Sequence, residues 1–256
     1  MSFFRFGTLC PHPVFIIGTG RSGTHWIADT LKPHPELAVT YENEPRFGYA
    51  KSMALNPSTR QALLSKHIRN YRWTQRWFTP RRLVDKSHPN IWIAEDLLKA
   101  FPNTLFLGTH RDVYATVASM IKCQPVNAWH KNWMQYPIPN HFLGITSEIA
   151  PFYDSLSNPE QCTLRWLSHR DRMQYLQQRF PNQLLVVNYE SLMDQVEKTL
   201  NEIKSFLKLK SPISIPTIKS ESRSKWREFL SQSDVGRIDA IIAEWNSGST
   251  RLPKSS

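Results

Sequence analysis

The chain predicts an α/β protein, built in three layers as a doubly wound, mostly parallel sheet. Three observations predict it. Apolar runs of strand length alternate with helical patterns along the 256 residues. The runs at 14–17, 37–41, 105–107 and 184–187 are continuous rather than alternating, as in strands covered on both faces. The first run passes directly into Gly18-Thr19-Gly20-Arg21-Ser22-Gly23-Thr24-His25-Trp26, which reads as strand, glycine loop and helix start. Three of the chain's nine glycines lie in this loop. Glycine lets backbone approach an anion, and the free N–H groups of a first helical turn favour negative charge.

The elements follow in order. Trp26, Ile27, Thr30 and Leu31 share one side of a first helix, ended by Pro33 and Pro35. A strand at 37–41 runs into Glu42-Asn43-Glu44-Pro45. Residues 57–78 read as a helix rich in Arg, Trp and Tyr, and 82–85 as a strand ending at Lys86-Ser87-His88-Pro89. A helix at about 90–100 precedes a strand at 103–109. His110-Arg111-Asp112 then opens a helix through Ile121, with Asp112 suited to its N-terminus.

Residues 123–158 have no period, hold four prolines and many aromatics, and read as a substrate-binding insert in a single domain spanning 1–256. A helix at about 160–179 leads to a strand at 184–188. Leu192, Val196, Leu200, Ile203 and Leu207 then step as one amphipathic helix. Pro212 and Pro216 break the chain, 221–230 is basic, and a last helix runs over about 233–245. In such sheets ligands sit at the carboxyl ends of the strands. The loop, Glu42/Glu44, Lys86/His88 and His110/Arg111 all follow strands, so one crevice is expected to gather them.

Composition narrows the chemistry. Apolar residues make up 40% and aromatics 12%, as in a folded globular chain. The 32 Lys+Arg against 21 Asp+Glu give a net charge of +11, which favours anionic ligands. Three cysteines at unrelated spacings suit a reducing compartment. No apolar run approaches a spanning helix and no leader is evident, so a cytoplasmic protein without a membrane anchor is expected. Gly18 and Gly23 match the glycine spacing of a nucleotide-triphosphate loop, G-x-x-x-x-G-K-[ST]. Thr24 and His25 replace its Lys and Ser/Thr, so the ATP/Mg²⁺ equipment is missing. A turn without a ligand is the plainer alternative.

The sequence resembles the sulfotransferases that use 3′-phosphoadenosine 5′-phosphosulfate (PAPS). Gly20-Arg21-Ser22-Gly23-Thr24-His25-Trp26 is similar to that family's 5′-phosphosulfate loop. Residues 105–112 through Ser119 are similar to its 3′-phosphate motif, in which a Ser follows an Arg by eight residues, as Ser119 follows Arg111. Lys86-Ser87-His88-Pro89, Val187-Asn188-Tyr189-Glu190-Ser191-Leu192 and the segment from Arg223 to Trp226 resemble further motifs in the right order. Thr19-Gly20 stands where a proline is common in the family, and His25 replaces a Thr.

The resemblance implies roles. Gly20, Arg21, Ser22, Gly23, Thr24 and His25 would hold the 5′-phosphate, and Trp26 would stack on adenine. Arg111 and Ser119, with Arg223 and Lys225, would hold the 3′-phosphate. Lys86 would touch the sulfonate or the bridging oxygen. The base on the acceptor hydroxyl would be His88 or Glu44, which stand level, with Glu42 behind them. The co-substrate would be PAPS, its product adenosine 3′,5′-bisphosphate (PAP), and no metal is required. The acceptor would be a glycan or small-molecule hydroxyl, with no nucleic-acid partner; a homo-oligomer is left open. Two competing readings are a nucleotide or nucleoside kinase with a degenerate loop and a non-enzymatic polyanion binder.

Overall fold

The computed structural model describes residues 11–216 and 225–248. Five strands, β1 (Val14–Gly18), β2 (Leu37–Tyr41), β3 (Arg82–Lys86), β4 (Leu105–His110) and β5 (Leu184–Asn188), form one sheet in the order β2-β3-β1-β4-β5. Every pairing is parallel. The register sets Ile16 beside Lys86, Tyr41 beside Lys86, Gly18 beside Thr109 and His110 beside Asn188. All five carboxyl ends therefore lie along one edge, and the chain after each strand emerges there.

The two faces of β1 explain its continuous apolar sequence. Val14 and Ile16 pack with Val84 against α1 (Thr24–Leu31) and α9 (Val196–Leu207), through Ile27, Leu31, Leu200, Ile203 and Leu207. Phe15 and Ile17 face the other way, onto α3 (Arg60–Phe78), α4 (Ala94–Ala100) and α7 (Asn158–Arg179), through Tyr71, Leu97, Met173 and Leu176. Side chains alternate across a strand, so covering both faces demands an unbroken apolar run. A third cluster joins α5 (Val113–Ile121), α6 (Gln124–Lys131), α7 and α10 (Gln232–Ser247).

The helices differ from expectation in instructive places. Residues 46–55 form α2 (Arg46–Leu55), which the sequence reading missed because its pattern contains Gly48 and follows Pro45. Its first turn is held by Glu44, whose Oε2 accepts from Gly48 N–H at 3.1 Å. The amphipathic pattern after β5 is two helices, α8 (Tyr189–Asp194) and α9, parted at Gln195. The insert at 123–158 holds α6, 3-10 turns at Trp133–Gln135 and Ala150–Ser155, and a bridge between Asn140 and Ile145. Phe142, Leu143, Ile145 and Tyr153 in it are fully buried, so much of it is core.

Polar groups under the sheet edge are paired. Asp85, fully buried, accepts from Thr40 Oγ1 and Tyr71 Oη, both at 2.7 Å, and faces Arg46 Nε at 3.4 Å. That network fixes the end of β3, where Lys86 follows. At β4, Asp112 caps α5 by accepting from Ala115 N–H at 2.9 Å. Asp112→Ala is expected to cost about 1 kcal/mol, read as a lower urea midpoint at unchanged slope. Among the described residues no helix is long and apolar enough to cross a membrane.

Candidate active site

The loop after β1 takes a shape that few sequences permit. Gly20, Arg21 and Gly23 all have left-handed backbone, with φ of 75°, 64° and 98°. For the non-glycine Arg21 that conformation costs on the order of 1 kcal/mol. The neighbours enforce it. A Cβ on Gly23 would stand 2.4 Å from the Tyr189 ring, and one on Gly20 would stand 3.2 Å from Nε2 of His88. Ser22 and Thr109 share a buried hydroxyl–hydroxyl bond of 2.7 Å, tying the loop to the end of β4. Gly23 is the N-cap of α1, whose first-turn N–H groups have no acceptor within the helix.

Two arginines and a serine meet beside this loop. Arg21 Nε donates to Ser119 Oγ at 3.0 Å, so the loop before α1 and the end of α5 come together across 98 residues of sequence. The Arg111 guanidinium lies 4.5 Å from the Tyr189 ring centroid, and its NH1 donates to the Arg21 carbonyl at 3.4 Å. Trp166 Nε1 holds the Arg111 carbonyl at 3.1 Å. Glu190 accepts from Asp112 N–H at 3.0 Å, a fixing role at the same end of the sheet.

A second group forms where β2 and β3 end. Glu42, itself left-handed at φ 47°, carries on the ladder by donating its N–H to the Lys86 carbonyl at 2.9 Å. Its Oε1 accepts from both Lys86 Nζ and His88 Nδ1, the latter at 3.0 Å. Lys86 Nζ also donates to His25 Nε2 at 3.3 Å. Burial pushes the Glu42 carboxyl up, but the His88 hydrogen bond and the Lys86 charge outweigh it and hold it at about 2. Burial drives His88 down to about 4, with Lys86 and Arg165 adding to the fall and Glu42 opposing it. Burial and then Lys86 lower His25 as well. Burial lowers Lys86 too, with the Glu42 charge opposing. Near neutral pH the group therefore sets a carboxylate and two neutral imidazoles around Lys86. Since a carboxylate only accepts, His88 carries its proton on Nδ1, and Nε2 is left as a buried lone pair without a hydrogen-bond partner.

The structure does not bring every expected residue into these groups. Glu44 is exposed and bonds locally to α2, whereas Glu42, two residues earlier, faces Lys86 and His88; the left-handed turn at Glu42 sends the two side chains apart. Trp26 packs partly against the α1–α9 core. Thr24 is buried at the start of α1. Arg223 lies outside the described residues. Lys225 opens a 3-10 turn at Lys225–Glu228, whose Trp226 stacks on Tyr114 of α5 at 5.0 Å.

Sequence reasoning missed Arg165. Its side chain is fully buried between the Trp129 and Phe142 rings, and NH1 donates to the Thr19 carbonyl at 2.6 Å. Burial lowers it only to about 10, so it is a cation beneath the loop. The available signal was a lone arginine inside the apolar run Cys162-Thr163-Leu164-Arg165-Trp166-Leu167 of α7.

An arginine-bearing glycine loop, an Arg–Ser pair on the next strand–helix unit and a carboxylate–lysine–histidine group at one sheet edge suit transfer of an anionic group. Known proteins agree in fold. The sulfotransferase domain of the Synechococcus PCC 7002 olefin synthase superposes with a TM-score of 0.55 at 18% identity, over 90% of this chain and 94% of that one. A sulfotransferase domain from the curacin biosynthetic pathway gives 0.57 at 15%, over 95% and 99%. Mouse sulfotransferase SULT7A1, solved with PAP, gives 0.52 at 14%, over 91% and 83%. No curated protein matches. The sequence model described as the sulfotransferase family matches residues 13–212, which takes in every group described above. On that match, across most of its length, the chain is a member of the sulfotransferase family.

Proposed function

We propose that this sulfotransferase takes its sulfuryl group from PAPS and delivers it to a hydroxyl of a glycan or small molecule. The observation that carries the reading is the juxtaposition of the left-handed loop with the Glu42–Lys86–His88 group, with His88 against Gly20 and Lys86 bonded to His25. PAPS would supply a sulfur bonded to a phosphate leaving group. The donor set suits it: loop N–H groups, Arg21 and His25 for the 5′-phosphate, and Arg111 with Ser119 for the 3′-phosphate.

In this scheme His88 Nε2 takes the acceptor's proton as the acceptor oxygen bonds to sulfur. The bond from sulfur to the phosphate oxygen breaks, and that oxygen keeps the electron pair. Arg21, Lys86 and the first-turn N–H groups of α1 stabilise the charge that collects there. Glu42 holds the His88 ring in the productive tautomer. The insert, with its aromatics, would close over the acceptor and exclude water.

Calorimetric titration of the purified chain with PAP, ATP and AMP tests the reading. PAP is expected to bind at least about tenfold more tightly than AMP, because only it engages Arg111 and Ser119. Preference for ATP with Mg²⁺ would replace the reading with a kinase. Indifference to all three would remove the nucleotide altogether.

A further inference from the structure

We propose that the outer face of α3 docks on an anionic lipid surface. Between Glu44 and Asp85 the chain holds nine Lys and Arg and no Asp or Glu. Some of these cations are used inside the fold. Arg46 faces Asp85, Arg60 pairs with Asp96 at 3.2 Å, and Arg82 donates to the His12 carbonyl at 2.7 Å. Lys66, Arg69 and Arg76 are exposed, and no described carboxylate pairs with them.

The helix sorts its residues cleanly. His67, Tyr71 and Gln75 are buried. On the opposite side Lys66, Arg69, Trp73, Arg76 and Trp77 fall within a stripe about 100° wide, at the helical period. Trp73 is 65% exposed and Trp77 86% exposed. Two adjacent tryptophans left in water, one helical turn apart and flanked by unpaired arginines, ask for a partner that is apolar beneath and negative at its surface. A bilayer interface is that partner. Indole rings settle at headgroup depth, and arginine and lysine stems lie along the interface with their charges on anionic headgroups. A second copy of this face would meet it with like charge. A soluble polyanion would reward the arginines but leaves the tryptophan pair less well explained.

Position supports the assignment. α3 ends at Phe78, just before β3 begins at Arg82, so the tryptophans stand near the amino ends of the strands. The crevice lies at the carboxyl ends. A surface held by this face leaves the crevice open to solvent.

Sedimentation of the full chain with vesicles tests the proposal, using phosphatidylcholine alone and phosphatidylcholine with phosphatidylserine. Binding is expected only with phosphatidylserine, weakening as salt rises. The double substitution R69Q/R76Q should lower the partition constant about tenfold or more. W73A/W77A should lower it comparably and remove the tryptophan quenching caused by brominated lipids. All four side chains are on the surface, so both variants should keep the parent's melting temperature. Equal binding to neutral vesicles, or partition unchanged in both variants, overturns the proposal. Binding to heparin or single-stranded DNA without binding to anionic vesicles also overturns it, by assigning the face to a soluble polyanion.

Discussion

Replacing His88 by alanine is expected to lower kcat for sulfuryl transfer by about 10²- to 10⁴-fold, with PAP affinity changed less than about threefold. The split follows from position. The His88 ring stands against Gly20, where the loop approaches the Glu42–Lys86 pair, whereas the groups we propose for the phosphates are Arg21, Arg111 and Ser119. Glu42→Gln should cost less, because an amide oxygen can still accept from Nδ1, and Glu44→Gln should be close to neutral.

The pH profile separates the candidates for the base. As the proposed base His88 would work in its neutral form, and burial holds it at about 4. So kcat/KM should be level through neutral pH and fall as pH drops through about 4. A limb near 2 would move the role to Glu42. Lys86 and Arg165 both push His88 down, while Glu42 pushes it up. Lys86→Met and Arg165→Met should therefore shift the limb to higher pH, an effect that lost packing alone does not produce. If Glu44→Gln abolishes turnover while His88→Ala preserves it, the assignment fails.

Gly144→Ala is expected to destabilise the fold by about 3 kcal/mol, the sum of a left-handed alanine and overpacking. Gly144 has a φ of 76°, and a Cβ there would lie 2.2 Å from the Leu164 carbonyl oxygen and 2.9 Å from Arg165 N. These are main-chain atoms of α7 that cannot swing aside. The insert meets α7 at this point, next to the residue that holds Thr19, so PAP affinity should fall along with stability. Gly236, inside α10, has no atom beyond its own stretch of helix within 4 Å of a Cβ position. Gly236→Ala should stabilise by about 0.5–1 kcal/mol, since helical alanine loses less backbone entropy. Similar urea midpoints for the two variants would show that Gly144 is not a tight contact.

The strands were legible because their chemistry is local: a buried parallel strand is an uninterrupted run of Val, Ile, Leu and Phe, and β1 is one. The loop was legible because glycines at 18, 20 and 23 have few other uses. The helix α2 was not, since Gly48 and Pro45 argue against it and the Glu44 cap that offsets them shows only in three dimensions. The insert was not legible because Phe142, Leu143 and Ile145 are buried by their neighbours, with no period of their own. The sequence reading places Glu44 ahead of Glu42, whereas it is Glu42 that faces Lys86 and His88; spacing carries no sign of this, because the outcome turns on the backbone sign at Glu42. Arg165 looks like a surface residue of a long helix until the rings of Trp129 and Phe142 are seen around it.

The ties on the loop have a thermodynamic consequence. Ser22 is bonded to Thr109, the Thr19 carbonyl to Arg165 and the Arg21 carbonyl to Arg111, and the ring of Tyr189 closes off Gly23. A free glycine-rich segment would lose about 1–2 kcal/mol of backbone entropy per residue on closing around a ligand. Here folding has already met that cost, with the buried strands and helices supplying the free energy. An anion arriving at the crevice encounters a host whose shape precedes it, and more of its interaction energy is left to appear as affinity and rate.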